Sequence, residues 1–254
     1  MIPLRDDAPC STTPYVNYFL IIINVLVFMF ELSVPATPVG RASSASLCMP
    51  NMVLSERDVF TCNFGYVPDK VTALISGMRS VTATQAFLPV LTSMFMHATF
   101  IHLIGNMWFL WIFGDNVEDH LGHLLYLVMY LLSGIAGSFV HTLFNATSFV
   151  PSVGASGAIA GVMGAYFVLY PRARVLTLVP FFFIYFVRLP AWVMLGYWFV
   201  YQFLSGAATS IATASQQSGG GVAFWAHVGG FVAGIAMIKL FPSRPRRYES
   251  YAWR

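Results

Sequence analysis

Of the polar side chains that stand inside otherwise apolar stretches of this 254-residue chain, four matter for chemistry: His102, Asn106, Ser156 and His227. A serine and a histidine in such surroundings share one chemistry. The imidazole takes the hydroxyl proton, the oxygen attacks a carbonyl carbon, and the imidazole returns the proton to the leaving group. Ser156 stands in Gly154-Ala-Ser-Gly157, where the lack of bulk lets a carbonyl approach. A helix starting there offers unpaired N–H groups to a developing oxyanion. His102 and Asn106 are four apart and share a helical face, and their side chains, with the Ser156 N–H, suit the same oxyanion. Gly105 beside them would let another backbone come close.

The sequence also supplies a reason for distant residues to meet. Gly157 and Gly161 form one small-xxx-small face, and Gly230 and Gly234 form another. His227 precedes Gly230 by three and Gly234 by seven, so all three share a face. If the two glycine faces pack, as such motifs do in membranes, His227 is carried toward Ser156. No Asp or Glu is read in any span to orient the imidazole, so the expected unit is a dyad whose imidazole is oriented by packing and hydrogen bonds.

The elements that must position these groups follow from composition. Charged residues are 9% and hydrophobic residues 57% of the chain, against roughly 25% charged in soluble domains. Apolar windows near 17–33, 98–113, 124–144, 157–171, 190–206 and 223–241 each approach the length of a membrane span. The expected fold class is therefore an all-α polytopic membrane protein with six transmembrane helices and a long outer first loop. The first apolar run lacks a small-residue cleavage site behind it and reads as a retained helix. Loop 34–84 is expected to carry short interfacial helices. Residues 85–97, with Pro89, lead into the second span, and 175–189 read as an interfacial or re-entrant piece. The chain divides into residues 1–84, a catalytic core 85–241 and a basic tail 242–254. With Arg5, Arg172, Arg174, Arg188 and the tail inside, both termini are cytoplasmic. The basic residues form no nucleic-acid patch. Of the three cysteines, Cys48 and Cys62 share the outer loop, where oxidising conditions permit a bridge, and spacing leaves the pairing open.

These residues resemble a bacterial-type rhomboid intramembrane serine protease over roughly 88–240. HATFIHLIGNM matches the family's second-span His and Asn, GASGAIAG its G-x-S-G nucleophile, and AHVGGFVAG its A-H-x-x-G-x-x-x-G span. The resemblance implies a rhomboid-like bundle in a bacterial inner membrane that cuts single-pass transmembrane proteins in the bilayer. It implies Ser156 and His227 as the dyad, His102 and Asn106 at the oxyanion, and a structural Glu118 after span two. Gly154, Gly157, Gly230 and Gly234 fall in its motifs, and 190–206 takes the place of its lateral gate. No metal or cofactor is implied. Two positions depart from the family: Ala160 stands where many relatives stack an aromatic ring on the histidine, and no Trp occurs between the first two spans.

Blander readings compete. A lone G-x-S-G is more often a packing motif, and a lone His227 more often an interior residue; their joint occurrence with His102 and Asn106 favours chemistry. His97 either lines a wet cavity or sits at the interface. His141 reads as a packing residue, and His120 with His123 as a solvated turn rather than a metal site. The rival functions are an inactive rhomboid-like protein that binds transmembrane helices, and a transporter, which would need related halves.

Overall fold

The computed structural model describes residues 1–43, 48–77, 80–181, 183–213 and 222–242. Arg79, the outer-loop residues 214–221 and the tail from 243 lie outside them. Helices dominate. A short strand β1 (Ile2–Arg5) precedes α1 (Tyr15–Ser33). The first loop holds a hairpin, β2 (Pro38–Arg41) and β3 (Val53–Ser55), then α2 (Glu56–Phe64) and α3 (Pro68–Ser76). The short α4 (Ala83–Thr92) and a 3-10 turn lead at a 76° bend into α5 (Phe100–Leu121). After α6 (His123–Phe144) come α7 (Ser156–Leu169), strands β4 (Arg174–Phe181) and β5 (Phe183–Pro190), α8 (Ala191–Thr213) and α9 (Phe224–Leu240).

Two helices, α1 and α6, are by length and composition able to cross a membrane, and the bent pair α4–α5 makes a third if taken as one span. The six apolar windows each fall on a helix, α1 and α5 to α9. The second window stops short of the helix it marks, because α5 continues through the acidic turn to Leu121.

The core is organised around α7. Residues Gly157 to Tyr166 are buried without a break, as expected of a helix apolar all round. Helices α5, α6 and α9 pack about it, whereas outward residues such as Phe19, Leu26, Ile101, Leu124 and Val232 are exposed.

Residues 175–189, read from the sequence as an interfacial or re-entrant piece, form an antiparallel hairpin, and β1 joins as third strand in the order β1-β4-β5. The run is rich in β-branched and aromatic residues, which suit a pleated surface, and both Val175 and Thr177 are buried. The N-terminal segment then ties this sheet to the helices. Trp108 Nε1 donates to the Pro3 carbonyl at 2.6 Å, Asn116 Nδ2 to Ala8 O at 3.1 Å, and Tyr166 to the Asp6 carboxylate. Burial holds that Asp6 carboxyl above its ordinary range.

The first loop carries the expected short helices and also an unforeseen β2–β3 ribbon. Cys48 and Cys62 are disulfide-bonded. Arg57 donates to the Leu32 and Val34 carbonyls at the end of α1, which supplies the cation and donors that a helix C-terminus lacks.

Glu118 has a definite structural place. Its fully buried carboxylate accepts the Val16 and Asn17 N–H groups at 2.9 and 2.7 Å and contacts His123 Nδ1. It therefore satisfies orphan donors in the first turn of α1 and fixes α1 against α5. Glu118→Ala should cost about 2–4 kcal/mol by leaving both donors buried and unpaired, read as a lower melting temperature in detergent. Glu118→Gln, which keeps one acceptor, should lose less. A wild-type melting temperature for Glu118→Ala would contradict the role.

Candidate active site

Ser156 is the first residue of α7. The loop before it is held from three directions. Tyr66 and Ser152 exchange backbone hydrogen bonds at 2.9 and 2.7 Å, Met49 N donates to Phe149 O at 3.1 Å, and Gly154 N donates to Ser93 O at 2.9 Å. Gly154 has φ +135°, and a Cβ there would lie 2.8 Å from the His102 ring. The conformation and the space both require glycine. Residues 151–154 of this irregular backbone are half-buried and Ala155 is buried; irregular backbone at membrane depth is tolerated where protein covers it or it lines a cavity.

Helix α9 lies against α7 through glycines. A Cβ at Gly230 would strike the Gly157 carbonyl, and one at Gly234 the Gly161 carbonyl. Gly161 in turn faces Ser133 of α6 and lies near the Gly230 carbonyl. With no side chains between them the backbones touch, and His227, one turn above Gly230, reaches Ser156. The His227 Nε2 to Ser156 Oγ distance is 2.7 Å across 71 positions of sequence. His227 is buried. Such a pair can move a proton off the hydroxyl as its oxygen attacks.

His102 and Asn106 lie beside Gly154 on the opposite wall. The Asn106 Nδ2 would be 3.6 Å from a Gly154 Cβ, and this buried donor has no partner among the described residues. Thr99 caps α5 by accepting His102 N at 3.1 Å. Gly105 has nothing near the space of its missing Cβ, so the close backbone approach expected there does not occur; that side of α5 is open. His97 is buried, not interfacial. Its backbone N–H donates to Glu31 Oε2 at 3.0 Å and its ring stands edge-on to His102, 5.2 Å between centroids.

Three features escaped sequence reasoning. Gln202 of α8 presents Oε1 to His227 Nδ1 at 2.8 Å. Trp198, one turn earlier, lies 5.7 Å from the imidazole with planes at 34°, whereas position 160 is an alanine and offers no ring. His141 is more than packing: with Tyr66, Ser93, Ser138 and Ser152 it lines a cavity reaching Ser156. The signal for Gln202 was present, since it is the one amide in 190–206 and no Asp, Glu, Lys, Arg or His accompanies it there, and strongly polar residues in spans mark function.

Comparison with known proteins agrees with the fold. A family profile described as the Rhomboid domain matches residues 84–244, more than half of the chain. The chain is 45% identical over 76 residues to RHOMBOID-like protein 6, mitochondrial, of Arabidopsis thaliana, covering 30% of this chain and 24% of that protein. It is 36% identical over 89 residues to Presenilin-associated rhomboid-like protein A, mitochondrial, of Danio rerio, covering 34% and 23%. It is 32% identical over 152 residues to Rhomboid protein 1, mitochondrial, of Saccharomyces cerevisiae, covering 58% and 40%. The matches thus span less than half the length of these relatives. All three are named as mitochondrial proteins, so these relatives are of mitochondrial rather than the expected bacterial type.

If glycine contact sets the Ser156–His227 distance, Gly230→Val must push α9 away from α7. Labelling of the protein by a fluorophosphonate should then slow roughly 10²-fold, the scale of an ångström-sized misplacement, with helical circular dichroism retained. Val232→Ala, on the exposed face of α9, should label normally. Unchanged labelling of Gly230→Val would contradict the packing argument.

Proposed function

The chain belongs to the rhomboid family, and from that premise we propose that it is an intramembrane serine endopeptidase acting on transmembrane-helix substrates. The observation that carries the reading is the 2.7 Å contact between His227 Nε2 and Ser156 Oγ. In this reading α1 and α5 to α9 are six spans. Both the N-terminal segment and the β4–β5 hairpin lie on one side of the membrane, and the disulfide-bearing first loop lies on the other. The 14 residues of α7 extend about 21 Å, against a hydrocarbon core roughly 30 Å thick. A helix grounded at its inner end therefore starts below the outer surface, and Ser156 with it.

The proposed reaction has two halves. His227 takes the Ser156 proton as Oγ attacks the scissile carbonyl, then gives it to the leaving amine; water repeats the sequence on the acyl-enzyme. The Ser156 N–H, Asn106 Nδ2 and the His102 ring serve the oxyanion. Asn106 suits the task because its buried donor is unspent. Water would enter through the cavity lined by His141, Ser138 and Ser152. A substrate carbonyl within a helix is hydrogen-bonded and shielded, so the substrate must unwind locally, and small or helix-breaking residues are favoured near the cut.

Purified protein incubated with a single-pass transmembrane substrate tests the proposal. Wild type should cut it; Ser156→Ala and His227→Ala should not. Asn106→Ala should cut about 10²–10³ times more slowly, as for loss of one oxyanion donor. Undiminished cleavage by Ser156→Ala would end the mechanism, and the inactive helix-binding function would take its place if binding persisted without any cleavage by wild type.

A further inference from the structure

We propose that Gln202 is the positioning residue of the catalytic pair, holding the His227 imidazole in the one tautomer that can accept the Ser156 proton. The inference rests on the Ser156–His227 reading above. A neutral imidazole has one nitrogen that donates and one that accepts, and the partner of the first decides the role of the second. The amide oxygen of Gln202, which can only accept, stands 2.8 Å from Nδ1. The hydrogen therefore resides on Nδ1, and the lone pair of Nε2 faces the Ser156 hydroxyl at 2.7 Å. With the opposite tautomer, two donors would face each other at Ser156 and the base would be lost.

Gln202 is 6% exposed and His227 8%, so this bond is made away from competing water. A buried amide must be paired, and here the pairing is spent on the reacting imidazole. The same face of α8 supplies the ring's lateral support. Trp198 lies four residues before Gln202 and packs on both His227 and Phe231, at 5.7 and 6.1 Å between centroids. Phe199 stacks on Phe231 at 4.8 Å. Together these contacts do what an aromatic residue at position 160 would have done from α7. The site is thus drawn from three helices: nucleophile from α7, base from α9, orientation from α8.

Two substitutions separate positioning from packing. Gln202→Glu keeps an acceptor, and Gln202→Met keeps length without one. Gln202→Met should lower kcat roughly 10²-fold, the lower end of what an oriented general base contributes, with KM little changed. Gln202→Glu should stay close to wild type. The Nδ1–H proton of His227 should appear far downfield in histidine-labelled NMR spectra of wild type and Gln202→Glu and vanish in Gln202→Met. A packing role predicts the reverse order, with Met harmless and the buried carboxylate damaging; that order, or wild-type kcat in Gln202→Met, overturns the proposal. Ser156→Ala is assayed alongside. If it is inactive while Gln202→Met is unaffected, only the Gln202 role fails. If Ser156→Ala still cuts, the nucleophile reading fails and takes this one with it.

Discussion

The contact on which the rest depends is backbone against backbone: the Gly157 and Gly161 carbonyls of α7 against Gly230 and Gly234 of α9. Inside a bilayer, helices gain nothing from hiding apolar surface from water, and close approach through small residues is what holds them. That approach also sets the reach of one side chain. His227 projects from α9 one turn above the first glycine contact and meets the Ser156 hydroxyl only because no side chain separates the helices. The same feature thus supplies stability and chemistry.

Around this contact the protein over-determines the loop that presents Ser156. A bulk-free turn through Gly154 is held by Ser93, by Tyr66 and by the first-loop residue Met49. The disulfide between Cys48 and Cys62 closes the segment from which the Met49 contact comes. At the other end of α7, the N-terminal segment bonds to Tyr166, and the β1-β4-β5 sheet joins it to α8. Helix α7 is therefore fixed at both ends while its middle is wrapped by α5, α6 and α9.

Much of this was legible in the residues. Hydropathy located α1 and α5 to α9, although only α1, α6 and the bent α4–α5 pair have the length and composition of a span among the described residues. Glycine spacing anticipated the α7–α9 seam, and the polar residues within spans pointed to the pocket. What stayed hidden depends on partners far apart in sequence. The hairpin 174–190 gains its third strand from Ile2–Arg5, which no local pattern announces. The acidic turn after α5 reads as a loop, yet remains helical because Glu118 is consumed by the first turn of α1 and Asp119 by Ser11 and Thr12. A single glutamine in an apolar run marks a position but names no partner, so the role of Gln202 emerges only when α8 is seen against His227. Glu31 was overlooked for the same reason, although it lies in the first span and accepts the His97 N–H.

The central claim is that one serine, activated by one histidine, is the reactive group of this protein. Peptide mapping after fluorophosphonate treatment tests it most directly. The account predicts a single adduct per chain, on the peptide containing Ser156, and no adduct in His227→Ala. An adduct on another residue, or equal labelling of Ser156 without His227, would contradict it.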